Sequence, residues 1–123
     1  MPGVLVDSTV LVDHLRGHEP ATAWLQGLDS VPLCSEVSRV EVLTGMRSGE
    51  RRKVEALFSS LVWVPVSEEV ARRAGALGRR YRSSHRLGAA DLIIAASVEA
   101  RGVQLATSNV RHFPMFPGLR APY

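Results

Sequence analysis

A chain of 123 residues with 46% apolar and 22% charged side chains can bury one ordinary core, and this composition excludes a disordered or low-complexity protein. The lone cysteine, Cys34, excludes an internal disulfide and fits a reducing compartment. The formal charge is only +3, but arginine supplies 14 of the 15 basic side chains, with Lys53 the exception, and guanidinium forks suit phosphate groups.

The opening Met-Pro-Gly-Val-Leu-Val-Asp has no basic n-region and meets Asp7 after three apolar residues, so no signal peptide is expected. The longest apolar run, Leu92 to Val98, is too short to span a bilayer. A cytoplasmic protein forming a single domain over residues 1–123, without membrane contact, is the expectation.

Val4-Leu5-Val6 reads as a buried strand. Asp7-Ser8 then caps a helix marked by Val10, Leu11, His14 and Leu15. A second helix is predicted over Glu19 to Leu28, with Pro20 in its first turn. Val31 to Cys34 predicts a strand weakened at Pro32, which cannot donate to a ladder. Ser35 caps a third helix running to Ser48, stopped by Gly49, and Glu50 to Ser60 forms a fourth. Leu61 to Val64 is the third strand. Ser67 caps a long fifth helix to Arg82, with Val70, Ala74, Leu77 and Tyr81 on one face. Gly88 to Arg101 is a sixth helix closed by Gly102, and Val103 to Thr107 is the fourth strand. A turn or short helix follows at Asn109 to Phe113, and an edge strand is predicted around Leu119 to Ala121.

Strands interleaved with helices imply an α/β fold, with a parallel sheet of four to five strands covered on both faces. Ligand sites in such folds gather at the carboxyl edge of the strands. Asp7 directly follows the first strand and Asn109 lies two residues beyond the fourth. Glu41 shares a helical face with Val37 and Thr44, beside Val40 and Leu43, while Glu36, Arg39 and Arg47 mark the solvent face. Asp91, in the first turn of its helix, lies on the face of Ile94, Ala95 and Val98. Carboxylates turned towards a core are costly unless paired, and converging ones raise one another's pKa. A divalent cation such as Mg²⁺ resolves both problems, and it can polarise a phosphoryl oxygen and activate water. An acidic metal site in a basic protein points to phosphodiester hydrolysis.

Taken singly, each residue has a plainer reading. Asp7 serves as an N-cap, Glu41 as a partner of Arg39 or Arg47, Asp91 as an answer to the helix dipole, and Asn109 as a turn former. Their conjunction is what resembles a known family. Val-Leu-Val-Asp-Ser-Thr-Val-Leu-Val-Asp at 4–13 resembles the opening of PIN-domain nucleases, and the segments at 35–45, 88–96 and 105–113 resemble their second, third and fourth motifs in order and spacing. Size and motif wording are most similar to VapC-type toxins of bacterial toxin–antitoxin pairs. The resemblance implies a three-layer PIN-like fold and a metal-dependent endoribonuclease, with Asp7, Glu41 and Asp91 holding Mg²⁺ or Mn²⁺ and Thr9, with Ser8, as supporting hydroxyls. It implies 5′-phosphate products from water attack, a homodimer, and inhibition by a small antitoxin protein. Asn109 departs from the aspartate many PIN domains carry there, and an amide brings no charge to hold a second metal.

The remaining polar residues receive structural readings. Asp13 is expected to pair with Arg16 or solvent, His112 to be a hydrogen-bonded turn residue with a proton shuttle as the alternative, and Cys34, Trp24 and Trp63 to pack in the core. His14, His18 and His85 lack the spacing of a zinc site. Arg72, Arg73, Arg79 and Arg80 line one side of the fifth helix; Arg79, Arg80, Arg82 and Arg86 are the candidate contacts for RNA phosphates. Two other functions stand beside the ribonuclease. One is phosphoryl transfer through Asp7, although Thr9 stands where such enzymes want a second aspartate. The other is a non-catalytic RNA- or protein-binding PIN-like module.

Overall fold

The computed structural model describes residues 3–81 and 87–123. Among these, β1 (Val4–Val6) leads to α1 (Ser8–Leu15) and α2 (Glu19–Gln26), and β2 (Leu33–Ser35) to α3 (Glu36–Thr44) and α4 (Arg51–Ser59). After β3 (Val62–Val64) come α5 (Glu68–Tyr81), α6 (Ala89–Arg101) and β4 (Gln104–Ala106). A 3-10 turn at Val110–His112 follows, as predicted for that segment. The sheet order is β3-β2-β1-β4 and all pairs are parallel, with Leu5 beside both Leu33 and Leu105.

Side chains alternate across a strand, so each short strand feeds two cores. Leu5, Val64 and Leu105 pack on one face against Val70, Ala74 and Leu77 of α5 and Ile94, Ala95 and Val98 of α6. Val6, Cys34 and Ala106 pack on the other against Leu11 and Leu15 of α1 and Val54, Leu57 and Phe58 of α4. Trp24 and Trp63 join this second core, as expected. Three layers result. Helices α5 and α6 approach closely at Gly78, where a Cβ would lie only 3.0 Å from Leu92 Cδ1. Gly102 takes φ +63° and closes α6, the left-handed cap that a glycine serves best. Among the described residues no helix is long and apolar enough to cross a membrane.

The structure corrects three expectations. Helix α3 ends at Thr44, not Ser48. Glu50 captures the chain beyond it, accepting from the Arg47 N–H at 2.6 Å and pairing with the Arg16 guanidinium at 2.6 Å, while Arg16 also donates to the Gly45 carbonyl at 3.1 Å. The rotation of α3 also differs. Ser38 and Val42 are buried, whereas Val40 and Leu43 are 62% and 42% exposed. Arg39, assigned to solvent, instead lies 3.8 Å over the Trp63 ring and 5.2 Å from that of Phe58, held by two hydrogen bonds to Glu36. A flat guanidinium can cover an aromatic surface and keep its charge hydrated, which apolar periodicity does not register. Third, the tail from Pro117 onward forms no edge strand. Met115, Phe116 and Leu119 pack on the first core, and the Tyr123 hydroxyl donates to Asp13 Oδ2 at 2.6 Å, replacing the expected Arg16 pairing.

Candidate active site

The strand order reverses beside β1: successive strands step outward to β3, and the chain then returns to place β4 on the opposite side of β1. Open α/β sheets bind ligands at such a switch, outside the carboxyl ends of the strands. Here that position is filled by Asp7, immediately after β1, and Thr107, immediately after β4.

Asp7 is 3% exposed and its carboxylate is fixed from three sides. As the N-cap of α1 it accepts the Ser8 N–H on Oδ1 at 2.8 Å. Its Oδ2 accepts the Thr107 hydroxyl at 2.7 Å and the Thr9 hydroxyl at 3.2 Å. The two threonines are themselves held: the Asn109 N–H donates to Thr107 Oγ1 at 3.0 Å, and the Ser108 N–H to Thr9 Oγ1 at 3.2 Å. The cap reading and the site reading of Asp7 thus describe one carboxylate. Thr107 is the residue sequence reasoning passed over. Its fully buried hydroxyl makes the shorter of the two threonine contacts to Asp7, and the pairing of Val6 with Ala106 is what brings the next residues of both strands together.

Glu41 comes from α3 and Asp91 from the first turn of α6. Glu41 Oε1 accepts the Ser8 hydroxyl at 3.0 Å, so Ser8 links it to Asp7; neither Arg39 nor Arg47 holds it. Much of the Glu41 residue remains exposed, yet its pKa is raised, first by lost hydration and then by the charges of Asp7 and Asp91. Asp91 is also raised, chiefly by burial and further by Asp7, while His112 draws it down. His112, in the 3-10 turn as expected, has its Nδ1 3.2 Å from Asp91 Oδ2, so the turn brings this histidine against one of the carboxylates. Among the described residues no three His, Cys, Asp or Glu side chains form a ready ligand cage. The donor chemistry nevertheless fits a hard divalent cation: all three are carboxylates, oxygen donors of the kind Mg²⁺ takes one or two at a time while keeping waters, and Glu41 and Asp91 both feel the charge of Asp7.

The exposed arginines divide. Arg73 is engaged by both oxygens of Glu99, at 2.6 and 3.2 Å, and Arg72 pairs with Glu68 at 2.7 Å, so half of the α5 stripe is already neutralised. Arg79 and Arg80 are exposed on the last turn of α5, Arg80 lying 5.5 Å from the Tyr81 ring. Arg82 and Arg86 lie outside the described residues. Cys34 is fully buried and its thiol is pushed up to about 12, mainly by burial, which fits the packing role expected of it. The Asn109 side chain is exposed and caps nothing at the 3-10 turn.

Comparison with known proteins agrees with this geometry. Residues 4–116 match the PIN domain. Over 123 residues the chain is 47% identical to Ribonuclease VapC19 of Mycobacterium tuberculosis, spanning 97% of this chain and 98% of the relative. It is 48% identical to Ribonuclease VapC10 of the same organism, spanning 98% and 92%. Its fold superposes on a toxin–antitoxin complex from Klebsiella pneumoniae with a TM-score of 0.85, at 25% identity and 98% of both chains. A DNA-bound VapBC from Salmonella typhimurium gives 0.82, at 23% identity and 98% and 97% coverage. With three layers, an aspartate at the β1–β4 switch and relatives matched along nearly their full length, the chain belongs to the PIN-domain family, within its VapC branch.

Proposed function

We propose that this protein is a divalent-metal-dependent endoribonuclease, acting in the cytoplasm as the toxin of a toxin–antitoxin pair. The observation that carries the reading is the meeting of Asp7, Glu41 and Asp91, from three separate elements, at the switch point, where burial and mutual repulsion raise Glu41 and Asp91. The full-length relatives named as ribonucleases support the substrate class. Asp7, Glu41 and Asp91 would hold Mg²⁺ or Mn²⁺. A bound ion would supply a Lewis acid for a phosphoryl oxygen and a lowered pKa for water, and 5′-phosphate ends are the products expected of attack by water in place of the ribose 2′-OH. The chain's own contribution is orientation. Ser8, Thr9 and Thr107 fix Asp7, Ser8 also steadies Glu41, and His112 steadies Asp91.

An antitoxin chain and a second copy of this protein are the partners this reading brings. Solved neighbours that are toxin–antitoxin complexes support the first. The test is to incubate purified, inhibitor-free protein with mixed RNA in Mg²⁺, in Mn²⁺ and in EDTA, beside Asp7→Asn and Asp91→Asn. Cleavage that needs the metal, leaves 5′-phosphate ends and is lost in both folded variants is expected. RNA left intact by folded wild-type protein under every metal condition would favour the binding-module reading instead.

A further inference from the structure

Beside the carboxylates lies a second feature that the chemistry of the metal site does not use. Ser108, Asn109, Val110, Arg111 and His112 line a cleft of about 320 Å³. Two of its residues touch the acidic centre: the Asn109 N–H is bonded to Thr107, the hydroxyl partner of Asp7, and His112 lies against Asp91. Its wall is rigid where it meets the site, because the Ser108 and Asn109 amides are both tied to threonine hydroxyls. Apart from His112, its polar side chains are free among the described residues. Among the described residues the Ser108 hydroxyl, the Asn109 amide and the Arg111 guanidinium have no hydrogen-bond or ion-pair partner, and all three residues are exposed. Arg111 contrasts with Arg16, Arg39, Arg72 and Arg73, each held by a glutamate.

An exposed, unpaired cation in the cleft that Asn109 and His112 tie to the acidic centre, with a hydroxyl and an amide beside it, is a set of donors for an anion that must approach that centre. We propose that this cleft seats a phosphate of the RNA strand neighbouring the one that is cut, with Arg111 as its charged anchor and Ser108 and Asn109 as neutral hydrogen-bond partners. Asn109 is then a substrate contact and not a missing metal ligand. A carboxylate at that position would repel the phosphate that the amide accepts. The inference rests on the ribonuclease reading, which it deepens by giving the strand a direction of entry over the 3-10 turn.

The test is fluorescence anisotropy with a fluorescein-labelled 12-nucleotide single-stranded RNA of mixed sequence. Binding is measured in EDTA between 50 and 200 mM KCl, for wild type, Arg111→Gln, Asn109→Asp and Arg101→Gln. Arg101 is the control: an exposed arginine at the opposite end of α6 from Asp91. Arg111→Gln is expected to weaken binding about fivefold to tenfold and to lower the slope of log K against log salt by about 0.7, the loss of one phosphate contact on a single strand. Asn109→Asp should weaken binding as well, and Arg101→Gln should stay within about twofold of wild type. The proposal is overturned if Arg111→Gln keeps wild-type affinity and slope, if Arg101→Gln falls equally, or if wild type does not bind. Cleavage of the same RNA in Mn²⁺ separates the two claims. Cleavage by wild type with Arg111-independent binding sinks the cleft alone, whereas Arg111-dependent binding without cleavage sinks the nuclease reading alone.

Discussion

Replacing Thr107 by valine keeps the shape of a fully buried side chain and removes only its hydroxyl. Three interactions go with it, the longest a 3.4 Å contact with the Thr9 hydroxyl. The 2.7 Å bond to the Asp7 carboxylate is charge-assisted, and such bonds contribute about 1.5–3 kcal/mol net. The Asn109 N–H loses its acceptor, but Asn109 is an exposed residue whose N–H water can reach, which places that loss near the low end of the roughly 1–3 kcal/mol for an orphaned donor. Thr107→Val should therefore destabilise the metal-free protein by about 2–4 kcal/mol, and at roughly 3–5 °C per kcal/mol for a domain of this size Tm should fall about 6–20 °C. Thr107→Ser keeps the hydroxyl and loses one methyl, so it should cost about 1 kcal/mol. Urea unfolding followed by circular dichroism in EDTA measures both. Repeating Thr107→Val in the Asp7→Asn background completes a double-mutant cycle, in which the loss should shrink by about 1–2 kcal/mol because the acceptor is no longer charged. A loss below about 1 kcal/mol, or an equal loss in both backgrounds, would refute the claim that Thr107 acts on the Asp7 carboxylate.

Glu41 and Asp91 have folded pKa values above their unfolded ones, so the fold favours their protonated forms. The stabilisation they lend is complete below the unfolded values near about 4 and is lost as pH rises through the raised folded values; a Tm–pH series in EDTA should show this, flattened in Glu41→Gln and Asp91→Asn. Since a cation needs both ionised, Mn²⁺ should raise wild-type Tm at neutral pH and progressively less as pH falls through the same window; a shift preserved in Asp91→Asn would count against the assigned ligands. Cys34, fully buried with its thiol raised to about 12, should resist a disulfide-exchange reagent until the protein is unfolded in urea, and prompt labelling of native protein would contradict that burial. Arg39→Ala should lose about 1–2 kcal/mol through its contacts with Trp63, Phe58 and Glu36, and Arg39→Lys should recover little, because an ammonium cannot match the stacked fork; full recovery in the urea midpoint would show that charge alone matters.

Glu41 was assigned on a rotation of α3 that the structure corrects. The placements of Asp7 and Asp91 were legible because each occupies a position whose meaning is local: Asp7 ends a run of three apolar residues and Asp91 opens a helix. Thr107 was not legible for the same reason. A threonine ending an apolar strand looks like any strand residue. Only the parallel pairing of Val6 with Ala106, a contact between residues 100 apart, places its hydroxyl on Asp7. His112 was likewise hidden, since nothing in a turn at 110–112 announces that it folds back to the first turn of α6. The misjudged rotation of α3 has a different cause. Hydrophobicity alone favoured Val40 and Leu43 as core, but the helix follows its small buried Ser38 and Val42, and Arg39 supplies apolar cover that its charge conceals. Three prolines and a glycine after Phe113 work against the edge strand expected in the tail, because proline cannot donate to a ladder.

The site also shows how a fold can hold three acids without being undone by them. Asp7, the most buried, is the one given four hydrogen bonds, two from Ser8 and one each from Thr9 and Thr107, and these come from residues whose backbones the sheet and α1 already fix. Glu41 and Asp91 are satisfied more thinly, by a serine hydroxyl and a half-exposed imidazole, and they carry the raised pKa values. The rigid member thus sets the geometry, while the other two keep an unmet demand for positive charge. Completing their hydrogen bonding with further buried donors would stabilise the metal-free protein and weaken its hold on a cation by the same free energy. If the site takes a divalent cation as proposed, the sparse hydrogen bonding of Glu41 and Asp91 is a requirement of that function and not a defect of the fold, and a variant engineered to satisfy them should gain Tm in EDTA while losing its response to Mn²⁺.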